Sequence, residues 1–315
     1  MAVRNDLFPM EALLVDRLPE GHEWRYEPKW DGFRCLAYKR GRTVTLRSKS
    51  GKPLERYFPD MVNALGKLAP DTYVLDGELL VQGATGYSFS DLQLRLHPAA
   101  SRVNRLAETQ PATFVLFDIL ETDKGVNVMS SPFAERRRML EGFWKKYGSR
   151  ENALKLSPQT DSLREAMKWL DASPWQIDGI VAKKTTDPYT PGERVMEKYK
   201  AIRTADCVVG GFRYGKDSDE VGSLLLGLYD EAGRLNHVGF TSSIAKADKP
   251  SLTKKLETLI HEPGFTGNAP GAPSRWSTER STDWKPLLPK IVVEVGFDHV
   301  TDHRFRHGTK LIRFR

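Results

Sequence analysis

Cysteine is scarce in this sequence. Cys35 and Cys207 are the only two among 315 residues, too few and too far apart for a zinc site or a framework of disulfides. This scarcity indicates a protein of a reducing compartment. We expect both thiols to lie in a hydrophobic core, where free cysteine is commonly found.

Long apolar runs are also missing. No segment approaches the length that spans a bilayer, and Asp6 and Glu11 interrupt the only stretch that could serve as the apolar region of a signal peptide. We therefore predict a cytoplasmic protein with no membrane partner.

Acidic residues are outnumbered by basic ones. The 48 lysines and arginines exceed the 41 aspartates and glutamates and give a formal net charge of +7, and the densest basic segment is HRFRHGTKLIRFR, residues 303–315. A basic charge suits an anionic partner, and nucleic acid is the commonest one for a basic intracellular protein.

The pattern of apolar residues predicts the α+β class, and the length favours two domains. Segments 42–49, 71–81, 112–120 and 178–184 are rich in Val, Thr and Phe, as strands are. Residues 130–148 predict a helix with Ser131 as its cap and Pro132 in its first turn. After about Arg203 the chain turns to short strands broken by Gly and Asp, a pattern typical of a small barrel or sandwich.

Four segments place charged residues beside glycine or close together at the ends of predicted strands. They are YEPKWDGFR around Lys29, VLDGELL around Glu78, DGIVAKK from Asp178 to Lys183, and EKYK with Lys198 and Lys200. Each segment alone is weak evidence, since charged side chains are usually just solvated. Together they supply lysines, carboxylates and flexible glycines, the inventory for handling a nucleoside triphosphate with a divalent metal.

Lys29 is the candidate nucleophile. A free lysine amine has a pKa near 10.4, so at neutral pH it is protonated and unreactive. Neighbouring cations and partial burial both lower the pKa of a lysine, and Lys183, Lys198, Lys200 and a bound metal ion could act on Lys29 in this way. The same cations would neutralise the phosphate under attack.

The order of these segments resembles that of the covalent nucleotidyltransferases, and among them the ATP-dependent DNA ligases. That family places K-x-D-G-x-R, S-R-x-G, D-G-E, an aromatic strand, E-G-[IV]-x-x-K and K-x-K before an OB-fold. The corresponding positions here are residues 29–34, 48–51, 76–78, 114–118, 178–183 and 198–200. The resemblance implies an adenylation domain with antiparallel sheets and flanking helices at residues 1–202 and a β-barrel OB-fold domain at 203–315. It looks closest to compact bacterial ligases similar to the ligase module of end-joining repair enzymes.

The resemblance also implies a three-step reaction with nicked duplex DNA. Lys29 attacks the α-phosphate of ATP and becomes adenylated, AMP passes to a DNA 5′-phosphate, and a 3′-hydroxyl then displaces AMP. Expected nucleotide-binding residues, by their positions in the motifs, are Glu27 through its backbone, Arg34 and Glu78 at the ribose, Phe117 at the adenine, and Ser48, Lys49, Lys183, Lys198 and Lys200. Asp178 and Glu78 are the expected ligands of Mg²⁺ or Mn²⁺.

Two positions depart from the family pattern. The metal-binding acid is usually glutamate, and Asp178 is shorter by one methylene, so either the backbone comes closer or a water bridges to the metal. In the S-R-x-G element Lys49 replaces a forked arginine, which predicts a looser phosphate contact that Arg47 could compensate.

The last residue, Arg315, corresponds to the first residue of a closing R-x-D-K element. We therefore expect a truncated second domain, impaired reaction with ATP, and retained sealing of nicks that already carry AMP.

Two other functions compete with DNA ligation. An RNA ligase or an mRNA-capping enzyme would use the same lysine chemistry on the same scaffold. A nucleic-acid-binding adaptor would keep the second domain and lose the lysine site. Against it stand the intact residues Lys29, Glu78, Lys183 and Lys198. For the ligase we expect a monomer associated with the nucleoid, with a repair polymerase or primase or an end-binding protein as partner.

Overall fold

The computed structural model describes residues 2–172, 177–200, 202–271, 283–298, 300–301, 303–306 and 308–315. The chain divides into two compact units, Met1–Ala201 and Ile202–Arg315. No helix in the described ranges is both long and apolar enough to cross a membrane.

The first unit combines two sheets with flanking helices. Its strands are β1 (Glu11–Leu14), β2 (Trp24–Trp30), β3 (Phe33–Arg40), β4 (Thr43–Ser48), β5 (Thr72–Gly83), β6 (Gly86–Tyr87), β7 (Ala112–Glu121), β8 (Leu154–Leu156), β9 (Ile177–Lys184) and β10 (Arg194–Tyr199). Its helices are α1 (Pro59–Lys67), α2 (Phe89–Leu94), α3 (Ala100–Thr109), α4 (Phe133–Phe143) and α5 (Leu163–Ala172). The strands predicted at 42–49, 71–81, 112–120 and 178–184 correspond to β4, β5, β7 and β9.

The two sheets of the first unit have different strand orders. One runs β1-β10-β9-β2, and the other runs β4-β3-β5-β7-β8 with β6 paired to β5. Neighbouring strands are antiparallel except for β1 with β10 and β7 with β8. A chain segment that leaves β2 enters β3 of the other sheet within two residues, so the segment 29–34 spans both sheets.

The core of the first unit lies between the second sheet and the helices. Phe58, Met61 and Leu65 from the α1 region pack with strand residues Leu75 and Leu116, and all five are fully buried. Burying such a side chain contributes about 1.5–3 kcal/mol. Cys35 belongs to the same cluster, so its prediction as a core residue is confirmed.

Helix α4 begins at Phe133 with Pro132, not Ser131, as its N-cap, and no side chain caps it. The prediction of a Ser131 cap is therefore wrong. The first backbone N–H groups of the helix, on Phe133 and Ala134, donate instead to carbonyls of Asp187 and Thr185. Because a neighbouring segment satisfies these donors, the cap needs no hydroxyl.

The described part of the second unit combines an antiparallel sheet with a nine-residue helix. Its elements are β11 (Arg203–Tyr214), β12 (Val221–Tyr229), β13 (Leu235–Thr241), α6 (Lys249–Glu257), β14 (Lys285–Pro286), β15 (Val292–Phe297), β16 (Val300–Thr301), β17 (Arg304–Phe305) and β18 (Lys310–Phe314). The main sheet runs β13-β12-β11-β15-β18, and Cys207 lies in its core.

This sheet is OB-fold-like, as the resemblance implies, and its described strands form no closed barrel. Among the described residues its outer strands β13 and β18 meet at a single parallel bridge between Thr241 and Thr309, and the Thr241 hydroxyl donates to the Thr309 carbonyl at 2.8 Å. Turn signals in a sequence specify hairpins, but closure depends on the tilt and stagger of all strands together.

Candidate active site

A cleft of about 190 Å³ opens between the two sheets of the first unit. Strands β1, β2, β9 and β10 of one sheet and β3, β5 and β7 of the other supply its walls. Its lining residues with charged or aromatic side chains are Glu11, Glu27, Lys29, Trp30, Arg34, Lys49, Glu78, Phe117, Lys183 and Lys198. Of the site residues predicted from the sequence, Ser48, Asp178 and Lys200 do not line this cleft, although Asp178 and Lys200 contact or neighbour residues that do.

Lys29 lies near the end of β2, opposite Gly179 of β9, at a register shift between Lys29 and Trp30. Its ammonium donates to Asp178 Oδ2 at 2.5 Å, and Lys200 Nζ lies 3.2 Å from the same oxygen. Burial opposes ionisation of the Asp178 carboxyl, but the two lysines more than offset this and hold its pKa below the ordinary value. Asp178 is thus the anion between two cations.

Two glycines, Gly179 and Gly32, allow neighbouring strands of the site to approach each other closely. A Cβ at Gly179 would lie 2.0 Å from the carbonyl oxygen of Tyr199, and one at Gly32 would lie 2.2 Å from that of Leu79. The sequence predicts that these glycines let the backbone approach a ligand. In the structure they let it approach the backbone of a neighbouring strand. Any side chain at either position would push apart strands that carry site residues.

The cations that the sequence predicts around Lys29 are only partly arranged as expected. The nearest charged partner of Lys29 is the carboxylate of Asp178. Neighbouring cations do lower the pKa of Lys198, on β10. Burial has the largest effect on this pKa, and Lys29, Lys49 and Lys200 lower it further. A cluster of positive charge does exist here, and it would favour an anionic ligand.

Arg34 lines the cleft from β3 and is held by Asp76 of β5. Its Nε and Nη2 donate to the two carboxylate oxygens at 2.6 and 2.7 Å. The guanidinium carbon also lies 4.5 Å from the centre of the Phe117 ring, within cation–π distance. Burial opposes the charge of Arg34, but Asp76 outweighs it, so the pKa of Arg34 lies above its ordinary value.

Glu78 faces the cleft two residues further along β5. One of its oxygens accepts from the Gly32 N–H at 3.1 Å. Desolvation raises the pKa of Glu78 to about 7, against the opposing effect of Arg34 and Lys29. The carboxyl therefore changes its protonation state near neutral pH.

Glu27 and Lys183 form a buried ion pair with a 2.7 Å separation across β2 and β9. The other oxygen of Glu27 accepts from Gln159 at 3.1 Å and from Arg137 at 3.4 Å. Lys183 Nζ also lies 4.9 Å from the centre of the Phe117 ring. Both predicted residues are thus in the site, but their charged groups are already paired with protein.

Ser48 is the last residue of β4, and Lys49 lies in the turn that follows. The Ser48 hydroxyl accepts from the Lys52 N–H at 3.0 Å and so stabilises the turn. Lys49 lines the cleft, where its ammonium lies 3.0 Å from Glu11. Arg47, the residue expected to compensate for Lys49, is held by Glu55 at 2.7 Å.

The donor set for a metal ion consists of carboxylate oxygens. Mg²⁺ takes oxygen ligands, keeps several waters, and is commonly bound by only one or two carboxylates. Asp178 and Glu78 both interact with Lys29 and supply donors of this type. No group of three or more His, Cys, Asp or Glu suited to a metal occurs in the described part of the chain.

Sequence reasoning missed several residues of the site. Glu11 and Met10 bring an N-terminal segment to the cleft wall, and Tyr189 donates to Asp76 at 2.6 Å. No motif marks them, because their roles come from contacts between distant segments. Asp76, the first residue of the segment 76–78, binds Arg34 from inside β5.

Known proteins share both units. A family model described as ATP dependent DNA ligase domain matches residues 10–200, and one described as ATP dependent DNA ligase C terminal region matches residues 217–315. DNA ligase C2 of Mycolicibacterium smegmatis is 40% identical over 323 residues, which cover 98% of this chain and 90% of the relative.

A further relative, and a solved structure of its ligase domain, come from Mycobacterium tuberculosis. The multifunctional non-homologous end joining DNA repair protein LigD is 32% identical over 286 residues, covering 89% of this chain and 34% of LigD. The crystal structure of the LigD ligase domain matches with a TM-score of 0.55 and 26% identity, over 99% of this chain and 95% of that domain. This chain belongs to the ATP-dependent DNA ligases.

Proposed function

We propose that this ligase seals nicks in duplex DNA through AMP carried covalently on Lys29. One observation carries the proposal: Lys29 shares a cleft with the cations Lys183 and Lys198 and the aromatic ring of Phe117, which come from four different strands. An amine, a positively charged lining and a flat apolar ring are what an adenylation site needs for its nucleophile, phosphates and base.

The chemistry consists of three transfers at phosphorus. The Lys29 amine forms a P–N bond to the α-phosphorus of ATP, the bond to pyrophosphate breaks, and the amine proton goes to solvent. A DNA 5′-phosphate oxygen then attacks the same phosphorus, the P–N bond breaks, and the amine takes up a proton. Finally a DNA 3′-hydroxyl attacks the 5′-phosphorus, and AMP leaves as the phosphodiester forms.

The resting site must open before the first transfer. An ammonium that donates to Asp178 at 2.5 Å has no lone pair with which to attack phosphorus. The Lys29–Asp178 ion pair is therefore the arrangement before reaction, and attack requires Asp178 to exchange this partner. Lys200 Nζ lies within ion-pair distance of the same Asp178 oxygen. We therefore expect Lys200 to respond when Asp178 exchanges Lys29 for another partner.

We assign to the site residues the roles that the family resemblance implies. Lys198 and Lys200 stabilise charge on the α-phosphate, Phe117 supports the adenine, and Arg34 with Glu78 holds the ribose. The Glu27 backbone recognises the adenine edge, while Lys183, paired with the Glu27 side chain, keeps a positive charge beside it. Lys49 lines the cleft next to the turn that Ser48 stabilises, and it would contact the phosphates or the DNA.

Asp178 and Glu78 are the residues that would hold Mg²⁺ or Mn²⁺. A divalent ion there supplies positive charge that neutralises developing negative charge on the phosphates. Exchange of Lys29 for such an ion on Asp178 would satisfy the same carboxylate.

We assign the sealing reaction to DNA repair, because LigD, whose name states a role in end-joining repair, aligns over 89% of this chain. A repair polymerase or primase or an end-binding protein is the corresponding class of partner.

The test is the intact mass of the protein after incubation with ATP and Mg²⁺. We expect the wild type to gain the mass of one AMP and Lys29→Ala to gain nothing. Lys155→Ala, which changes an exposed lysine outside the cleft, should load as the wild type does. An adduct of equal yield on Lys29→Ala would contradict the proposal.

The same preparations separate the candidate substrates. We expect AMP from ATP but not GMP from GTP, and sealing of nicked DNA but not of nicked RNA. Preferred loading from GTP would favour the capping-type alternative, and preferred sealing of RNA would favour an RNA ligase.

A further inference from the structure

The hydroxyl of Tyr189 lies at the centre of a buried network behind Arg34. It donates to Asp76 Oδ2 at 2.6 Å and accepts from the backbone N–H of Met10 at 3.1 Å. Tyr189 is 3% exposed, and Asp76 is completely buried. Burial and the nearby Asp76 carboxylate raise the pKa of Tyr189 well above its ordinary value, so the phenol keeps the proton that it donates.

The acceptors that hold Arg34 are the same groups that Tyr189 holds. Arg34 Nε and Nη2 donate to Asp76, and Nη2 also donates to the carbonyl of Met10 at 3.2 Å. Tyr189 thus contacts both residues that fix the guanidinium. Nη1 makes no hydrogen bond to any described residue, and Arg34 lines the cleft, so this nitrogen is left for a ligand.

We propose that Tyr189 is a positioning residue for nucleotide binding, which fixes Arg34 through Asp76 and the Met10 backbone so that Nη1 meets the ribose of ATP. The proposal rests on the proposed adenylation at Lys29. Two nitrogens of the Arg34 guanidinium are already hydrogen-bonded to protein, so the side chain loses little conformational freedom when the third nitrogen binds a ligand. Such preorganisation increases the affinity for the nucleotide.

The same contacts fix the face of Phe117. Its ring lies 4.5 Å from the Arg34 guanidinium, so a shift of Arg34 would change the surface offered to the base. Without its hydroxyl, residue 189 would leave the Met10 N–H and one Asp76 lone pair unsatisfied in a buried place. A buried polar group that loses its partner rearranges to find another one. The nearest other donor to Asp76 is Arg34, so we expect Arg34 to move when the Tyr189 hydroxyl is absent.

Tyr189→Phe is the decisive variant, because it removes only the hydroxyl and keeps the ring that packs beside Met10, Leu36 and Val74. Tyr147→Phe is its matched control. Tyr147 donates to Asp123 at 2.7 Å in the same unit, and neither residue lines the cleft. Both variants lose one tyrosine-to-carboxylate hydrogen bond, but Tyr189→Phe also loses the bond from the Met10 N–H, so its melting temperature should fall further than that of Tyr147→Phe.

The measurement is the rate of AMP loading, followed by intact mass over a range of ATP concentrations. For Tyr189→Phe we expect the half-saturating ATP concentration to rise by about 10-fold, the scale of one hydrogen bond to a charged group, while the maximal rate stays near that of the wild type. Tyr147→Phe should match the wild type in both. An unchanged half-saturating concentration in Tyr189→Phe, or a fall in maximal rate alone, would overturn the proposal.

The preference between ATP and 2′-deoxyATP is a second measurement, and a purely structural role of Tyr189 would leave it unchanged. We expect the wild type to load AMP from ATP more readily than dAMP from 2′-deoxyATP, and Tyr189→Phe to lose most of this preference. Equal preference in the two proteins would refute positioning of Arg34 at the ribose while leaving adenylation intact. Failure of the proposed adenylation at Lys29 is detected separately, by a wild type that gains no AMP or by an adduct that persists on Lys29→Ala.

Discussion

At the scale of single residues, Glu78 shows how the cleft tunes chemistry. Its carboxyl lies between the cations Lys29 and Arg34, which favour ionisation, yet desolvation outweighs them and raises its pKa to about 7. A carboxyl near this value exchanges a proton in the physiological range. Nucleotide affinity and stability should therefore both depend on pH through this one group.

The stability of the fold should fall as Glu78 ionises. Its pKa is raised from 4.5 to about 7 on folding, so the folded state binds more protons between these values and the free energy of unfolding decreases as pH rises through them. At pH 8 the loss is at most about 3 kcal/mol, because cleft water screens a partly exposed group. Glu78→Gln should be more stable than the wild type at pH 8 and not at pH 4.5.

Urea denaturation of both proteins at several pH values measures this difference. Glu108→Gln, on an exposed face of α3, is the control and should show no such trend. A constant difference between Glu78→Gln and the wild type from pH 4.5 to 8 would show that Glu78 has an ordinary pKa in the folded protein.

At the scale of elements, helix α1 is held at its C-terminal end by a lysine from the neighbouring sheet. Lys39 of β3 is buried, and its ammonium donates to the carbonyls of Gly66, at 2.9 Å, and Leu68. The last carbonyls of a helix lack partners within the helix, and a cation there also complements the helix dipole. A polar contact thus joins the strand to the end of the helix.

Lys39→Met should lower the free energy of unfolding by about 1–3 kcal/mol, because it removes the donor from the carbonyls of Gly66 and Leu68 while keeping the apolar stem. Amide hydrogen exchange should also become faster in the last turn of α1. Lys52→Met, at an exposed position, should change neither. Unchanged exchange in α1 of Lys39→Met would show that water replaces the ammonium without cost.

At the scale of the whole molecule, net charge governs the encounter with DNA. The formal charge is +7, and an excess of lysine and arginine attracts a polyanion through release of its counterions. Such affinity does not depend on base sequence, which suits an enzyme that must act at any nick.

Binding to nicked DNA should therefore weaken steeply with salt. With roughly 6–10 phosphate contacts, the dissociation constant would rise by about 10³-fold or more between about 50 and 200 mM salt. Fluorescence anisotropy with a labelled nicked duplex measures it, and an intact duplex tests how much of the affinity belongs to the nick. A dissociation constant that hardly changes with salt would show that phosphate contacts contribute little.

Much of the local structure was predictable from the sequence. Strands β4, β5, β7 and β9 follow from their Val, Thr and Phe content, since these side chains fit a pleated, half-buried surface. The start of α4 was not, because its first N–H groups bind carbonyls of Asp187 and Thr185, more than fifty residues away. Whether the second sheet closes into a barrel could not be predicted either, because closure depends on the tilt and stagger of all its strands.

The sequence by itself determined the chemical inventory of this ligase: an ordered set of lysines, carboxylates and glycines at strand ends, with a basic net charge. Only the tertiary structure decided the pairing within that set. Asp178, 149 positions from Lys29, is its partner, and Asp76, with Tyr189 behind it, holds Arg34. The reason is physical, since strand register and sheet packing bring distant side chains within hydrogen-bonding distance, and neither is encoded in a local motif.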